Sequence, residues 1–231
     1  MCHQVAMILL SKDANTKPEY KCVSKKLITI IAFLSATFLF TFDAQACSRR
    51  TVLGSDKLIM PEQRINESLL DAAVRVEVNY FRCRAGLRPV RSDSGLRKLA
   101  KGHSKWMARA RNMSHTSTVS GRRTLGDRLK RSGIRWKAAA ENIGMVHRFQ
   151  LEAQRFYGDN SSCQFTNSTG RKIQPHSYKS LARYIVKLWM GSPGHRHNIM
   201  DRRMTKVGTA IALDRKAQYC GTYYITQNFA Q

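Results

Sequence analysis

Apolar positions recur along this chain at helical and at strand period, and the changes of period mark out its elements. Leu69, Ala73, Val76 and Tyr80 fall at helical spacing. Asn66 stands where it can cap the start of that helix, which should end near Arg84, before Gly86. Leu87 to Val90 reads as an extended connector, because the residue before Pro89 is steered away from the helical region. A second helix is predicted from about Ser92 to Arg111, with Leu96, Leu99, Ala100, His103, Met107 and Ala110 on one stripe. After a loop carrying Ser114-His115-Thr116, Thr124 and Asp127 can cap a short third helix bearing Leu125 and Leu129. Ala138 to Val146 is predicted to be a buried strand around Glu141. A fourth helix runs from about Ser180 to Met190, with Leu181, Ile185, Leu188 and Trp189 turned inward. Ser192-Pro193 then resets the chain. Proline suits the first position of a helix, so His195 lies near a helix start.

The C-terminal part alternates instead. Val207, Thr209, Ile211 and Leu213 lie on one face of a strand. Beyond Asp214-Arg215-Lys216, the run Tyr219 to Phe229 alternates again, which predicts a hairpin. Residues 147–179 keep no sustained period and are rich in Gly, Ser and Asn. They read as a long loop or insertion with a helical start, and Cys163 is a candidate tether for it. Helices first and strands last give an α+β fold.

The N-terminus is of another kind. Lys25 and Lys26 precede Leu27 to Phe42, an uncharged run of 16 residues, and Ala44-Gln45-Ala46 supplies the small residues a signal peptidase reads. The run is short for a membrane span, which takes about 20 residues. Residues 1–46 are therefore expected to be a secretory signal with an extended n-region, and Met7 is an alternative start. An uncleaved anchor and an acylated Cys47 are weaker readings. Residues 47–65 form the mature N-terminal segment and 66–231 the folded domain. Cleavage leaves Cys47, Cys83, Cys163 and Cys220. An even number in an exported chain favours two disulfides, and three pairings are open. The mature part holds 35 Lys/Arg against 12 Asp/Glu. Such a surface attracts polyanions and anionic membranes. No nucleic-acid motif accompanies the charge, so no specific nucleic acid is expected.

His115, Glu141 and His195 are the notable polar trio, each at a loop or an element end, where binding residues concentrate. Histidine can offer a neutral nitrogen to zinc or exchange a proton near neutrality. His103 falls on an apolar stripe and reads as a core histidine. His197 should be exposed, and His147 and His176 bracket the insertion without a motif around them. Ser192, Glu141 and His195 could be drawn as a hydrolase triad, but capping accounts for Ser192 and there is no G-x-S-x-G elbow.

Several segments then resemble one family in its own order: Ala85 to Val90, His103-Ser-Lys-Trp-Met107, Ser114-His-Thr116, Ala140-Glu-Asn-Ile-Gly144, Trp189 to Met200, Val207-Gly-Thr-Ala210 and Tyr224 to Phe229. Together they resemble the bacterial branch of the CAP superfamily (SCP-like proteins). The resemblance implies an α-β-α sandwich with a small central antiparallel sheet. It also implies a cleft holding His115 and His195, with Glu141 as its first acid. In relatives the paired histidines bind zinc or another divalent metal, and eukaryotic members bind sterols and other lipids. Many eukaryotic members carry a second cleft glutamate where this chain has Ser192.

Three functions follow as expectations. The first is a non-enzymatic, secreted or periplasmic binding module, its two histidines holding Zn2+ or another divalent metal and its basic surface drawn to an anionic envelope or host component. The second is a metal-dependent hydrolase acting on peptide or cell-wall material, with Glu141 as general base. The third is lipid or sterol binding.

Overall fold

A computed structural model describes residues 47–152 and 154–231, and the backbone of Ile8–Ser11. The expected signal features (Lys25, Lys26, Leu27 to Phe42, Ala44 to Ala46) and Met7 lie outside the described residues. The elements run β1 (Ile8–Ser11), α1 (Glu67–Arg84), β2 (Arg91–Ser92), α2 (Ser94–Ala110), α3 (Leu125–Ser132), β3 (Ala138–His147), β4 (Phe156–Asp159), β5 (Gln164–Asn167), α4 (Tyr178–Gly191), α5 (Pro193–Met200), β6 (Lys206–Asp214) and β7 (Thr222–Ala230).

The main sheet has the order β1-β3-β7-β6-β2. It is antiparallel except for the short β2–β6 pairing. Helices cover both faces, so the α-β-α sandwich is observed. Side chains alternate along a strand, and the two cores divide accordingly. Tyr223, Ile225 and Phe229 of β7 join α1, α4 and α5. Ala139 and Ala230 join α2 and α3, and Ile143 and Tyr224 pack under Trp106 and Met107 of α2. Two glycines permit close approach. A Cβ on Gly208 would collide with the α2 backbone at Leu96 and Arg97, and one on Gly144 would meet the Ile185 side chain of α4.

Asn66 caps α1 through the Leu69 amide, and Thr124 and Asp127 form a capping box on α3. Helix α2 starts two residues later than expected because Asp93 caps it at the Leu96 amide.

Some inward positions differ from the sequence reading. The buried apolar stripe of α1 is Leu70, Ala73, Val74 and Val78, with Leu69, Val76 and Tyr80 only partly covered. The helix is rotated because Asp71, Glu77 and Arg82 are also buried. Asp71 accepts from the Thr209 amide and the Ser92 hydroxyl, while Arg82 donates to the carbonyls of Arg88, Ile199, Asp201 and Met204. Ala110 is exposed in the last turn of α2. Leu188 is exposed too, because α4 buries the Leu181, Ile185 and Trp189 row and Leu188 lies off it.

The 147–179 segment is not a long loop with a helical start. Strands β4 and β5 form a hairpin, and Phe149, Leu151, Phe165 and Ile173 give it a small core. Phe165 meets Phe149 edge-on at 4.9 Å. Cys163–Cys220 ties the hairpin to the loop before β7, and Cys47–Cys83 ties the segment before α1 to that helix. Strand β7 begins at Thr222 and not at Tyr219, because Tyr219 and Cys220 adopt left-handed backbone (φ 57° and 62°). No helix of the described residues is long and apolar enough to cross a membrane.

Candidate functional site

Three elements converge on Glu141. It sits in the middle of β3, on the strand face that looks toward α2 and α3, and it is 0 % exposed. Its Oε1 lies 2.9 Å from His115 Nδ1, and its Oε2 lies 2.6 Å from Arg128 Nη2. Arg128, on α3, also donates through Nη1 to the carbonyls of His115 and Arg123. The arginine therefore holds both the carboxylate and the loop that carries the histidine. Asn228 of β7 adds a donor to Oε2 at 3.1 Å when its amide is oriented to suit its neighbours. Burial alone would raise the Glu141 pKa. The hydrogen bond from His115 and the charge of Arg128 outweigh it and hold the carboxyl below its ordinary value.

An ionised carboxylate only accepts, so His115 Nδ1 must carry the proton. The more basic nitrogen of that ring is then Nε2. This is the arrangement in which a carboxylate fixes the tautomer of a ligating histidine.

His195 enters from the first turn of α5 and is 5 % exposed. Its ring meets Trp189 edge-on at 6.2 Å, and its Nε2 is buried without a hydrogen-bond partner among the described residues. Burial, with a smaller contribution from the neighbouring His115, pushes its pKa down to about 4. The imidazole is thus neutral at physiological pH, the form that donates a lone pair. Asn198 ties the turn of α5 to β3, donating to the Glu141 carbonyl at 3.2 Å and to Asn142 Oδ1 at 2.9 Å. Asn142 in turn donates to the His195 carbonyl and to Gln227. Trp189 Nε1 donates to the Ile143 carbonyl. His115, Glu141 and His195 accordingly share one neighbourhood at β3, with His115 and Glu141 in direct contact.

His103 is buried as expected, but it belongs to this cluster as well. Its Nε2 donates to the Ser114 carbonyl at 2.9 Å and lies 3.9 Å from Glu141 Oε1. Its Nδ1 has no partner among the described residues, so it is not a fully satisfied core histidine. Burial lowers its pKa to about 4. Ser192 occupies the α4–α5 junction, and the expected side-chain cap is absent. Its hydroxyl makes no capping bond, and its backbone is what is engaged: the N–H donates to the Trp189 carbonyl and the carbonyl accepts from the Arg196 amide. Pro193 at the first helical position already removes one unsatisfied donor there, which lessens the need for a cap. His197 is exposed. His176 does have a context: it is buried between the Ser180 hydroxyl at 3.0 Å and Glu152 at 3.5 Å.

Arg128, Asn142, Asn198 and Asn228 were not singled out by residue type. Arg128 stands among many basic residues, and only its turn of α3 against β3 separates it from Arg131. The asparagines stand inside the segments quoted above, where their place beside Glu141 and His195 was the available signal.

Donor chemistry sets what this cluster can hold. Two imidazole nitrogens, one oriented by a carboxylate, suit a borderline divalent ion such as zinc. Among the described residues, no group of three or more His, Cys, Asp or Glu is placed to hold a metal. A bound ion would therefore have water completing its shell.

Comparisons with known proteins agree with the fold. The chain is 28 % identical over 130 residues to an uncharacterized protein, YkwD, of Bacillus subtilis (strain 168), a match covering 56 % of this chain and 37 % of that protein. The solved structure of an extracellular protein containing a SCP domain from Bacillus anthracis str. Ames superposes with a TM-score of 0.51 at 23 % identity. That match covers 76 % of this chain and 45 % of the other. The chain thus spans less than half the length of these relatives. A model of the cysteine-rich secretory protein family, CAP, matches residues 76–229, from the middle of α1 to the end of β7, and includes every residue of the His115–Glu141–His195 cluster. The chain belongs to the CAP, or cysteine-rich secretory protein, family.

Proposed function

We propose that this protein is an exported, non-enzymatic binding module whose cleft takes a divalent metal through His115 and His195. The observation that carries the reading is the double engagement of Glu141. Arg128 and His115 take one carboxylate oxygen each, and the group is fully buried and held ionised. A general base needs an accessible oxygen with a pKa near the working pH. Glu141 has neither, so the hydrolase alternative loses its base. The same carboxylate orients His115, which is what a ligand histidine requires.

His195 supports the reading from the other side. A neutral imidazole nitrogen buried without a partner is costly, and coordination would satisfy it. Two protein donors imply modest affinity, because zinc sites ordinarily have three or four. The two disulfides and the extracellular relative in the family fit export.

Calorimetry of chelator-stripped protein titrated with zinc tests the site. One weak to moderate site is expected, and it should vanish in His195→Ala. If the double variant His115→Ala/His195→Ala binds zinc as well as the parent, the reading fails. The imidazole Cε1 proton signals of His115 and His195 should shift together on loading, which separates this site from adventitious binding at exposed His197.

A further inference from the structure

We infer that the face made by α2 and α3 is a binding groove for a linear phosphate-bearing polymer, such as a polyol-phosphate chain of the envelope. Between Ser94 and Lys137 the chain has thirteen Lys/Arg and one acid, Asp127. The fold does not scatter these charges. Lys98, Lys105 and Arg109 follow one another along α2 at helical spacing, and Arg122 and Arg131 face them from the far wall of a groove of about 640 Å³. The row from Lys98 to Arg109 is about 16 Å long. None of these five cations has a carboxylate partner among the described residues. The two further cations of the lining are already used, Lys101 by Glu67 and Arg128 by Glu141. Five unpaired charges held along one groove repel one another, and an anion lying between the two walls would relieve that.

The shape and the lining choose the class of anion. Cations stand on both walls. A tetrahedral phosphoryl group presents oxygens to both sides at once, and the guanidinium forks of Arg109, Arg122 and Arg131 suit it. The α2 row of cations runs about 16 Å, far longer than one phosphate group, so a chain of such groups is favoured over a single ion. Its apolar lining offers no stacking platform for nucleobases. Trp106 is only 7 % exposed and lies stacked on His103 at 5.4 Å, leaving Leu99 and Val119 as small apolar contacts. Single-stranded nucleic acid needs exposed aromatic faces, so a base-free backbone fits better. Gly102 lies in the middle of the α2 row, exposed, with nothing within 4 Å of an added Cβ. It leaves a smooth floor between Lys98 and Lys105.

The inference rests on the reading of an exported binding module for the source of the polymer, but not on metal in the cleft. It is therefore tested in the presence of chelator, where loss of the histidine site changes nothing. The probe is linear inorganic polyphosphate of about ten units, titrated at several salt concentrations. Binding is expected, with log K falling by roughly 0.7–0.9 per contacted phosphate for each decade of salt. Gly102→Glu puts a carboxylate in the groove and also raises helix propensity. It should weaken binding about tenfold while the melting temperature holds or rises. Gly102→Gln, of the same volume but neutral, should bind like the parent. Lys105→Glu/Arg109→Glu should weaken binding further and flatten the salt slope, whereas Arg155→Glu/Arg171→Glu, an equal charge change on the hairpin, should do much less. Equal losses in Gly102→Glu and Gly102→Gln, or in the two double inversions, would overturn the groove. Equal affinity for heparin or polyglutamate of matched charge would overturn the assignment to phosphate polymers, and equal affinity for a single-stranded oligonucleotide would overturn the preference for a base-free backbone.

Discussion

Arg128 reaches from α3 to place its Nη2 2.6 Å from Glu141 Oε2, and both side chains are buried. The pair joins an outer helix to the central sheet at the point where the histidine loop is anchored. Removing one partner of a buried pair strands the other charge, at a cost of about 3–5 kcal/mol. Arg128→Met should therefore lower the urea midpoint sharply, and Glu141→Leu should do the same. Arg128→Met/Glu141→Leu should recover part of either loss, because no charge is left alone. A double variant no more stable than the worse single one would show that the pair is not coupled.

Two buried histidines give stability a pH dependence of fixed sign. His103 and His195 titrate near 4 in the fold, against about 6.5 in an unfolded chain. As pH falls, the unfolded chain takes up protons first, so stability is full above about 6.5 and is lost between there and about 4. Each histidine can contribute about 3 kcal/mol at the limit. Glu141, held below its ordinary pKa, adds a further loss below about 4.3. Urea midpoints at pH 7.5, 5.5 and 4.5 measure the slope. His103→Leu should flatten it, which separates this linkage from general charge repulsion in so basic a protein.

Gly208 tests how tightly α2 lies on the sheet. An added Cβ meets the backbone of Leu96 and Arg97, which cannot swing aside as a side-chain tip could. Gly208→Ala should cost about 3 kcal/mol through overpacking. Gly102→Ala, on the open face of the same helix, should be neutral or stabilising. Thermal melts of the two variants side by side give the comparison.

The Cys163–Cys220 bridge closes a loop across 57 positions, and in the chain-entropy account it contributes at most about 4 kcal/mol. The hairpin it holds has only a small core of its own. Cys163→Ser/Cys220→Ser should expose the 150–175 region to protease well before the rest of the domain. Cys47→Ser/Cys83→Ser should instead release the segment before α1. Mass mapping of early cleavage sites distinguishes the two.

If the chain is cut after Ala46, Ile8–Ser11 leaves with the signal, and the β3 edge that it pairs, from Ala138 to Glu141, is uncovered. Amide exchange at Ala138 to Glu141 should then be faster in the processed form than in the uncut chain. Equal protection in both forms would mean that something else covers this edge.

The sequence by itself determined helices α1 to α4, strand β3 and the β6–β7 hairpin, and their order. Apolar spacing placed α2, α4 and the β6–β7 hairpin, and local capping residues at Asn66 and Thr124 placed two helix starts, because both signals act over a few residues. It also named His115, Glu141 and His195. The disulfide pairing, the buried polar ties of Asp71 and Arg82, and the hairpin within 147–179 came only with the tertiary structure. In that segment the turn-rich composition masked Phe149, Phe165 and Ile173, whose contacts lie far apart in sequence. The contacts at the site were decided at the same level. That Glu141 is buried yet held ionised depends on Arg128 and His115, 13 and 26 positions away. Spacing along a chain cannot report which charges a carboxylate will meet once it is buried.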